Sequence, residues 1–209
     1  LSSLIMWLAC HQLSIQEAQL LTKPAEGALE KCKNDLTYLG VLNERFELTN
    51  LGQQTLKLPL QPKFSVPLLF CDDADLESMT KAITYLEGQI KLKLNTTQSH
   101  YFDQLTDQLR HPKHAPFNQE VKRIQQILSK IRNESDMPST SNKSWQHHLI
   151  TAIPENLCFA LPNQKKKYRI QGGGTGQLDT HEEKGLPSIL WAAQISFKSK
   201  SLQNASLQW

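Results

Sequence analysis

Lys23–Phe70, KPAEGALEKCKNDLTYLGVLNERFELTNLGQQTLKLPLQPKFSVPLLF, carries the densest local signals in the chain. Pro24 suits the opening of a helix, because its missing N–H would be unpaired in the first turn anyway. Ala28, Leu29, Cys32, Leu36 and Leu39 recur at helical spacing, and Gly40 can close that helix in the left-handed conformation. Val41 to Leu48 offers two short extended pieces around Asn43-Glu44. Thr49 can cap a second short helix carrying Leu51, Leu56 and Leu58 before Pro59. Helix, short wing, helix, then a proline-punctuated run into another helix: the stretch predicts a small winged-helix-like unit.

The order of these pieces resembles the segment that follows the second ATPase lobe in DEAH-type helicases. Leu39-Gly40, Leu48-Thr49-Asn50-Leu51-Gly52 and Leu58-Pro59-Leu60-Gln61-Pro62 match that family's motifs in order and spacing. Upstream, Ser14-Ile15-Gln16-Glu17 forms a capping box that predicts a helix over about 15–22, with another helix over Leu4–Cys10 before it.

From about Ser65 to Glu134 the pattern is helical. Asp72, Asp73 and Asp75 suit a helix N-terminus, and Leu76, Met79, Ile83, Leu86 and Ile90 form one apolar stripe. A further helix is predicted over Tyr101–Leu109, broken by Arg110–Pro116. The next, about Phe117–Arg132, buries Val121, Ile124, Leu128 and Ile131 and shows Lys122, Arg123, Lys130 and Arg132 on its other face. Order and size resemble the helical-bundle domain of the same helicases. Asn133–Lys143 is polar, with little to bury, and reads as a linker.

The last part opens with a helix capped by Ser144 and carrying Trp145, Leu149, Ile150 and Ile153, stopped by Pro154. Strands are predicted at Leu157–Leu161, Lys167–Gln171 and Ile189–Phe197, with Leu202–Trp209 a possible partner. Short strands joined by glycine-rich and charged turns suggest a small OB-type barrel. Residues 149–178, LITAIPENLCFALPNQKKKYRIQGGGTGQL, resemble one branch of the family, the bacterial HrpB-type helicases, at Ala152, Pro154, Tyr168, Ile170 and Gly173. Glu155-Asn156-Leu157 and Gly174 depart from that branch's aspartate-arginine-isoleucine and arginine, so a basic contact there is not carried over. The fold class read from all this is α+β: winged helix over 1–66, helical bundle over 67–134, linker over 135–143 and OB-like domain over 144–209.

Composition sets outer bounds. The 209 residues can bury a sizeable core, and a net charge of +3 is too mild to argue for nucleic acid without local clustering. Mean hydropathy is −0.46, with no apolar run near the roughly 20 residues of a membrane helix. The chain starts at Leu1 without an initiator methionine and reads as part of a longer, cytoplasmic polypeptide. Cys10, Cys32, Cys71 and Cys158 share no C-x-x-C spacing and read as reduced thiols.

The densest positive run, Lys165-Lys166-Lys167-Tyr168-Arg169, is the leading candidate site. Strand alternation puts Lys167 and Arg169 on one face and Tyr168 on the other, so Tyr168 either stacks on a base or belongs to the core. A solvated turn keeping a sheet edge soluble is the competing explanation. Lys122, Arg123, Lys130 and Arg132 could track a phosphate backbone, or simply form the polar side of an amphipathic helix. Gly172–Gly176 lacks the Gly-Lys-Ser/Thr ending of a phosphate loop and reads as a turn. His111-x-x-His114 and His147-His148 lack the further ligands of a metal site. The family resemblance implies a region that clamps single-stranded nucleic acid, RNA in particular, while two ATPase lobes elsewhere handle ATP and magnesium. No catalytic residue and no cofactor are expected in these 209 residues. The alternatives are a protein-interaction scaffold with an OB-like docking module, or a winged-helix transcription factor.

Overall fold

The computed structural model describes residues 1–88, 115–134, 144–178, 186–192, 194–197 and 205–208. These residues form an α+β fold of seven α-helices and six strands. The chain divides into two compact units, Leu1–Thr80 with Lys122–Trp145, and Lys81–Val121 with Gln146–Trp209.

In the first unit, α1 (Ser2–Cys10) buries Ile5, Met6 and Leu8. The capping box forms as read: Ser14 N–H donates to Glu17 Oε2 (2.7 Å) and Glu17 N–H to Ser14 Oγ (3.3 Å). Only a turn follows over 15–19, not the helix expected over 15–22. Gln19 takes φ +47, which ends the helical path after one turn, and Pro24 soon after restricts the backbone again. The next helix, α2 (Glu26–Tyr38), starts after Ala25 rather than at Pro24 and buries Cys32 and Leu36. Its end is a Schellman motif: Val41 N–H donates to Leu36 O (3.0 Å) and Gly40 N–H to Thr37 O (2.9 Å). Val41 and Leu36 also share the core, supplying the apolar contact that accompanies this cap.

Asn43 builds the turn that follows. Its Oδ1 accepts from Arg45 N–H and Glu47 N–H, both at 2.9 Å, and Leu42 and Leu48 close a one-pair bridge across it. Thr49 then caps α3 (Asn50–Leu56), accepting from Gly52 N–H at 3.0 Å while donating to Gly40 O at 2.7 Å. One threonine thus ties the start of α3 to the end of α2. Gly52 sits where α3 crosses the turn: a Cβ there would lie 2.3 Å from Val41 O and 2.7 Å from Leu48 Cδ1. The Leu-Thr-x-Leu-Gly spacing therefore has a packing cause in this chain. Pro62 occupies the first turn of α4 (Pro62–Phe70), where Phe64, Leu68 and Leu69 are buried.

Helices α5 (Asp73–Gly88) and α6 (Ala115–Glu134) follow the predicted stripes. Met79 and Ile83 on α5, and Val121, Ile124, Leu128 and Ile131 on α6, are buried; Leu76 and Leu86 are half-buried. Ile90, the helix expected at Tyr101–Leu109, the break at Arg110–Pro116 (apart from Ala115 and Pro116, which open α6), the linker 135–143 and the pair His111/His114 lie outside the described residues. The N–H of Trp145, first residue of α7 (Trp145–Ala152), donates to the Asp75 carboxylate at 3.3 Å.

In the second unit a single 3₁₀ turn, Pro154–Asn156, leads from α7 into β1 (Leu157–Ala160). Then come β2 (Lys167–Ile170), β3 (Thr175–Leu178), β4 (Ile189–Trp191), β5 (Gln194–Phe197) and β6 (Ala205–Gln208). Strand β3 was not expected; the glycine-rich stretch reads as turn, and pairing with β2 and β6 makes its last part a strand. The sheet order is β4-β1-β2-β3-β6-β5, antiparallel except for the parallel pair β3–β6. The described strands thus form a sheet with β4 and β5 at its ends, not a closed barrel, although these two end strands are consecutive in the chain. Cys158, Tyr168, Ile170, Leu178, Leu190 and Ala192 make the core under it. Asn156 fixes β4 against the 3₁₀ turn in both directions: its Nδ2 donates to Ala192 O (2.8 Å), and Ala192 N–H returns to Asn156 O (2.9 Å).

Candidate nucleic-acid interface

The run Lys165–Arg169 spans the end of the β1–β2 loop and all but the last residue of β2. Asn163 and Lys166 take φ +58 and +62, so the loop turns tightly. Lys167 N–H donates to Gln164 O (3.2 Å), and Lys166 O accepts from Leu178 N–H (2.8 Å). Leu161 N–H, next after β1, donates to Lys167 O (2.9 Å), so the loop backbone is tied to both β1's end and β3. Along β2 burial alternates strictly: Lys167 and Arg169 are exposed, Tyr168 and Ile170 buried. Lys165 and Lys166 are at the surface, Lys165 exposed and Lys166 half-buried.

Tyr168 resolves to the core side of its two readings. Its ring is 2% exposed, and its hydroxyl donates to Pro187 O at 2.8 Å. Burial pushes the phenol's pKa up, with nearby Cys158 adding to the shift. A ring held this way anchors β2 while its neighbours in sequence point outward.

On α6, Lys122, Arg123 and Lys130 are exposed, whereas Arg132 is half-buried and engaged. Its guanidinium donates to Asp73, to Cys71 O and, at 3.2 Å, to Leu68 O. Leu68 O also accepts from Cys71 N–H (3.4 Å), so Arg132 adds a second donor there and the guanidinium binds the C-terminal end of α4 from another helix. The α6 cations belong to the first unit and Lys165–Arg169 to the second.

The turn Gly172–Gly174 joins β2 to β3, with Gly173 N–H donating to Ile170 O (3.0 Å). A hairpin turn followed by a strand, with no lysine after the last glycine, does not fit ATP or magnesium, which need a strand-to-helix junction and a phosphate-binding lysine. Gly172 also lies against Glu155: its N–H donates to Glu155 O (3.0 Å), which ties the hairpin to the 3₁₀ turn. His147 and His148 sit edge to face on α7, and no group of three metal-ligating side chains occurs among the described residues.

Sequence alternation was enough to orient Lys167, Tyr168 and Arg169. It could not show what flanks Arg169, because that depends on register between strands. Phe159 stands directly opposite Arg169, and Thr175 opposite it on the other side.

The helical unit with a capped turn and the small mixed sheet are similar in fold to part of two solved structures. The solved structure of the E. coli DExH-box NTPase HrpB is similar to this chain with a TM-score of 0.72 at 19% identity, over 99% of this chain and 24% of that one. A second, of the E. coli DEAH/RHA helicase HrpB, gives 0.69 at 20% identity over the same shares. This chain spans about a quarter of the length of that protein. No protein-family model matches the chain, and no curated protein is similar to it in sequence.

Proposed function

We propose that this chain is the nucleic-acid-clamping accessory region of an ATP-dependent RNA helicase, lying C-terminal to two ATPase lobes that bind ATP and magnesium. The observation that carries the reading is the outward cationic strip along β2 and the loop before it, in the second unit. Lys167 and Arg169 project from one face of a strand whose intervening Tyr168 is locked in the core, and Lys165 and Lys166 extend the charge along the loop. Charges placed on a rigid sheet hold phosphates without reading bases, which suits a motor that must release and re-grip any sequence. The fold likeness to HrpB supports the assignment of the parent. In this reading the organisation is 1–66 winged helix, 67–134 helical bundle, 135–143 linker and 144–209 OB-type domain, in a cytoplasmic protein. Among the described residues no helix is long and apolar enough to cross a membrane.

The OB reading of the sheet is supported by its strand order. The end strands β4 and β5 follow one another in the chain, one pairing with β1 and the other with β6. A single bent strand over 189–197 would close the order into a five-stranded barrel whose faces and loops are used for oligonucleotides. ATP-driven closure of the lobes would move a strand held on this strip, so that the motor supplies the energy and the clamp the grip. The test is titration of a labelled single-stranded oligoribonucleotide against the wild-type chain and a Lys165/Lys166/Lys167/Arg169→Ala variant. Weaker binding and a shallower salt dependence in the variant are expected; equal affinities would remove this strip as the binding site.

A further inference from the structure

We infer that the outward face beside this cationic strip is a base-stacking platform, with Phe159 as its aromatic residue and Ile189 and Arg169 on either side. The inference rests on the clamp reading and assigns the site's second half. Directly opposed residues share a face of a sheet, and the register runs Ile189 (β4), Phe159 (β1), Arg169 (β2), Thr175 (β3) in one row. Of the residues next to this row, Leu190, Cys158, Tyr168, Ile170 and Gly176 are buried on the other side, while Ala160 and Ser188 are exposed. The row crosses three inter-strand gaps, about 14 Å in all.

Two features of the row are unexpected for a merely solvated face. Ile189 is 56% exposed and sits beside the half-buried ring of Phe159, so adjacent apolar side chains face water where alternation calls for polar ones. A shallow open depression of about 410 Å³ lies on Phe159, Arg169, Ile170 and Gln171. The charged members of this row and the next, Arg169 and Lys167, are both cations, and neither row contains a carboxylate. An occupant must therefore be anionic and also offer a flat apolar face. Single-stranded nucleic acid does both, because its bases are free to leave the stack; a duplex keeps them inside. Phosphates on Lys167 and Arg169 would bring bases over Phe159 and Ile189.

The test uses the 209-residue chain with a labelled oligouridylate and the same strand made abasic at its centre. Phe159→Ala should weaken binding to the intact strand at least about fivefold, the lower end for loss of one stacked base, without changing the salt dependence. The loss should vanish on the abasic strand. Phe159→Leu keeps an apolar side chain, guards against misfolding, and should lose part of the affinity. Photo-crosslinking from 5-iodouridine should label the peptide containing Phe159 or Ile189. If both Phe159 variants bind the intact strand like wild type while the Lys/Arg→Ala variant loses binding, the platform is overturned and the clamp stands. If the Lys/Arg→Ala variant also binds like wild type, the clamp falls and the platform with it. Crosslinks confined to other peptides would equally overturn the platform.

Discussion

Gly52→Ala tests the packing that the Leu-Thr-x-Leu-Gly motif encodes. In an open helix this change stabilises by up to about 1 kcal/mol, since alanine is the better helix former. Here the new methyl would sit 2.3 Å from Val41 O and 2.7 Å from Leu48 Cδ1. The carbonyl is backbone, held by accepting from Thr49 N–H at 3.0 Å, and cannot swing away as a side-chain end could. Overpacking of this kind costs about 1–3 kcal/mol, and a backbone clash belongs at the upper end. The difference is a net loss of about 2 kcal/mol. For a chain of 209 residues that lowers the melting temperature by about 4–8 °C. Gly27→Ala is the matched control, because nothing lies within 4 Å of a Cβ on that exposed α2 residue, and it should raise the melting temperature slightly. Differential scanning calorimetry of both variants reads the two signs directly. A Gly52→Ala protein as stable as wild type, or more so, would refute the close approach of α3 to the turn.

Four more expectations follow from particular residues. Arg132→Met should destabilise by about 1–3 kcal/mol in chemical denaturation, since it removes the guanidinium donor from Cys71 O and leaves Leu68 O only its bond from Cys71 N–H; Arg132→Lys should not restore it, lacking the planar fork. In the native protein a thiol reagent should label Cys10 first, because Cys32, Cys71 and Cys158 are buried; prompt labelling of all four would contradict the core. Burial pushes the Cys71 thiol to about 12 and Cys158 to about 11, so the folded state keeps protons that the unfolded chain releases near pH 9. Their stabilisation is full below about pH 9 and is lost as pH rises toward those values, and a melting temperature that stayed flat from pH 8 to 11 would refute it. Finally, the purified chain should turn over no ATP with or without RNA, because the Gly172–Gly174 hairpin cannot serve as a phosphate loop; turnover abolished by a point substitution within these residues would refute this.

Where a feature depends on neighbours in sequence, the sequence shows it. The Gly40 helix end, the Thr49 cap, the Ser14–Glu17 box and the apolar stripes of α5 and α6 all rest on local hydrogen bonds or a 3.6-residue period, and they could be read without a structure. The extra helix over 15–22 fails for a related reason. A capping box starts a helix but cannot prolong one, and Leu20, Leu21 and Thr22 lie between a left-handed Gln19 and Pro24. Strand β3 was hidden because Thr-Gly-Gln-Leu has weak strand character of its own; its two partner strands impose it. At the candidate site, alternation gave the outward pair Lys167 and Arg169 and the two possible fates of Tyr168. Phe159 could not be singled out, since its position opposite Arg169 is a matter of register, which pairing sets and one strand's sequence does not. Arg132 looked like any solvated cation because its partners, Leu68 and Cys71, are more than sixty residues away.

The cationic side of β2 and the loop before it, in the second unit, is proposed to grip a single strand by its phosphates. This grip is tested most directly by the salt dependence of oligoribonucleotide binding at 50 and 200 mM salt. Single strands lose affinity with a slope near −0.7 per neutralised phosphate, so four cations engaged together predict about a 50-fold drop across that range. Replacing Lys165, Lys166, Lys167 and Arg169 by alanine, in a variant shown to be folded by its melting curve, should flatten most of that dependence. An unchanged slope and affinity in the folded variant would contradict the account.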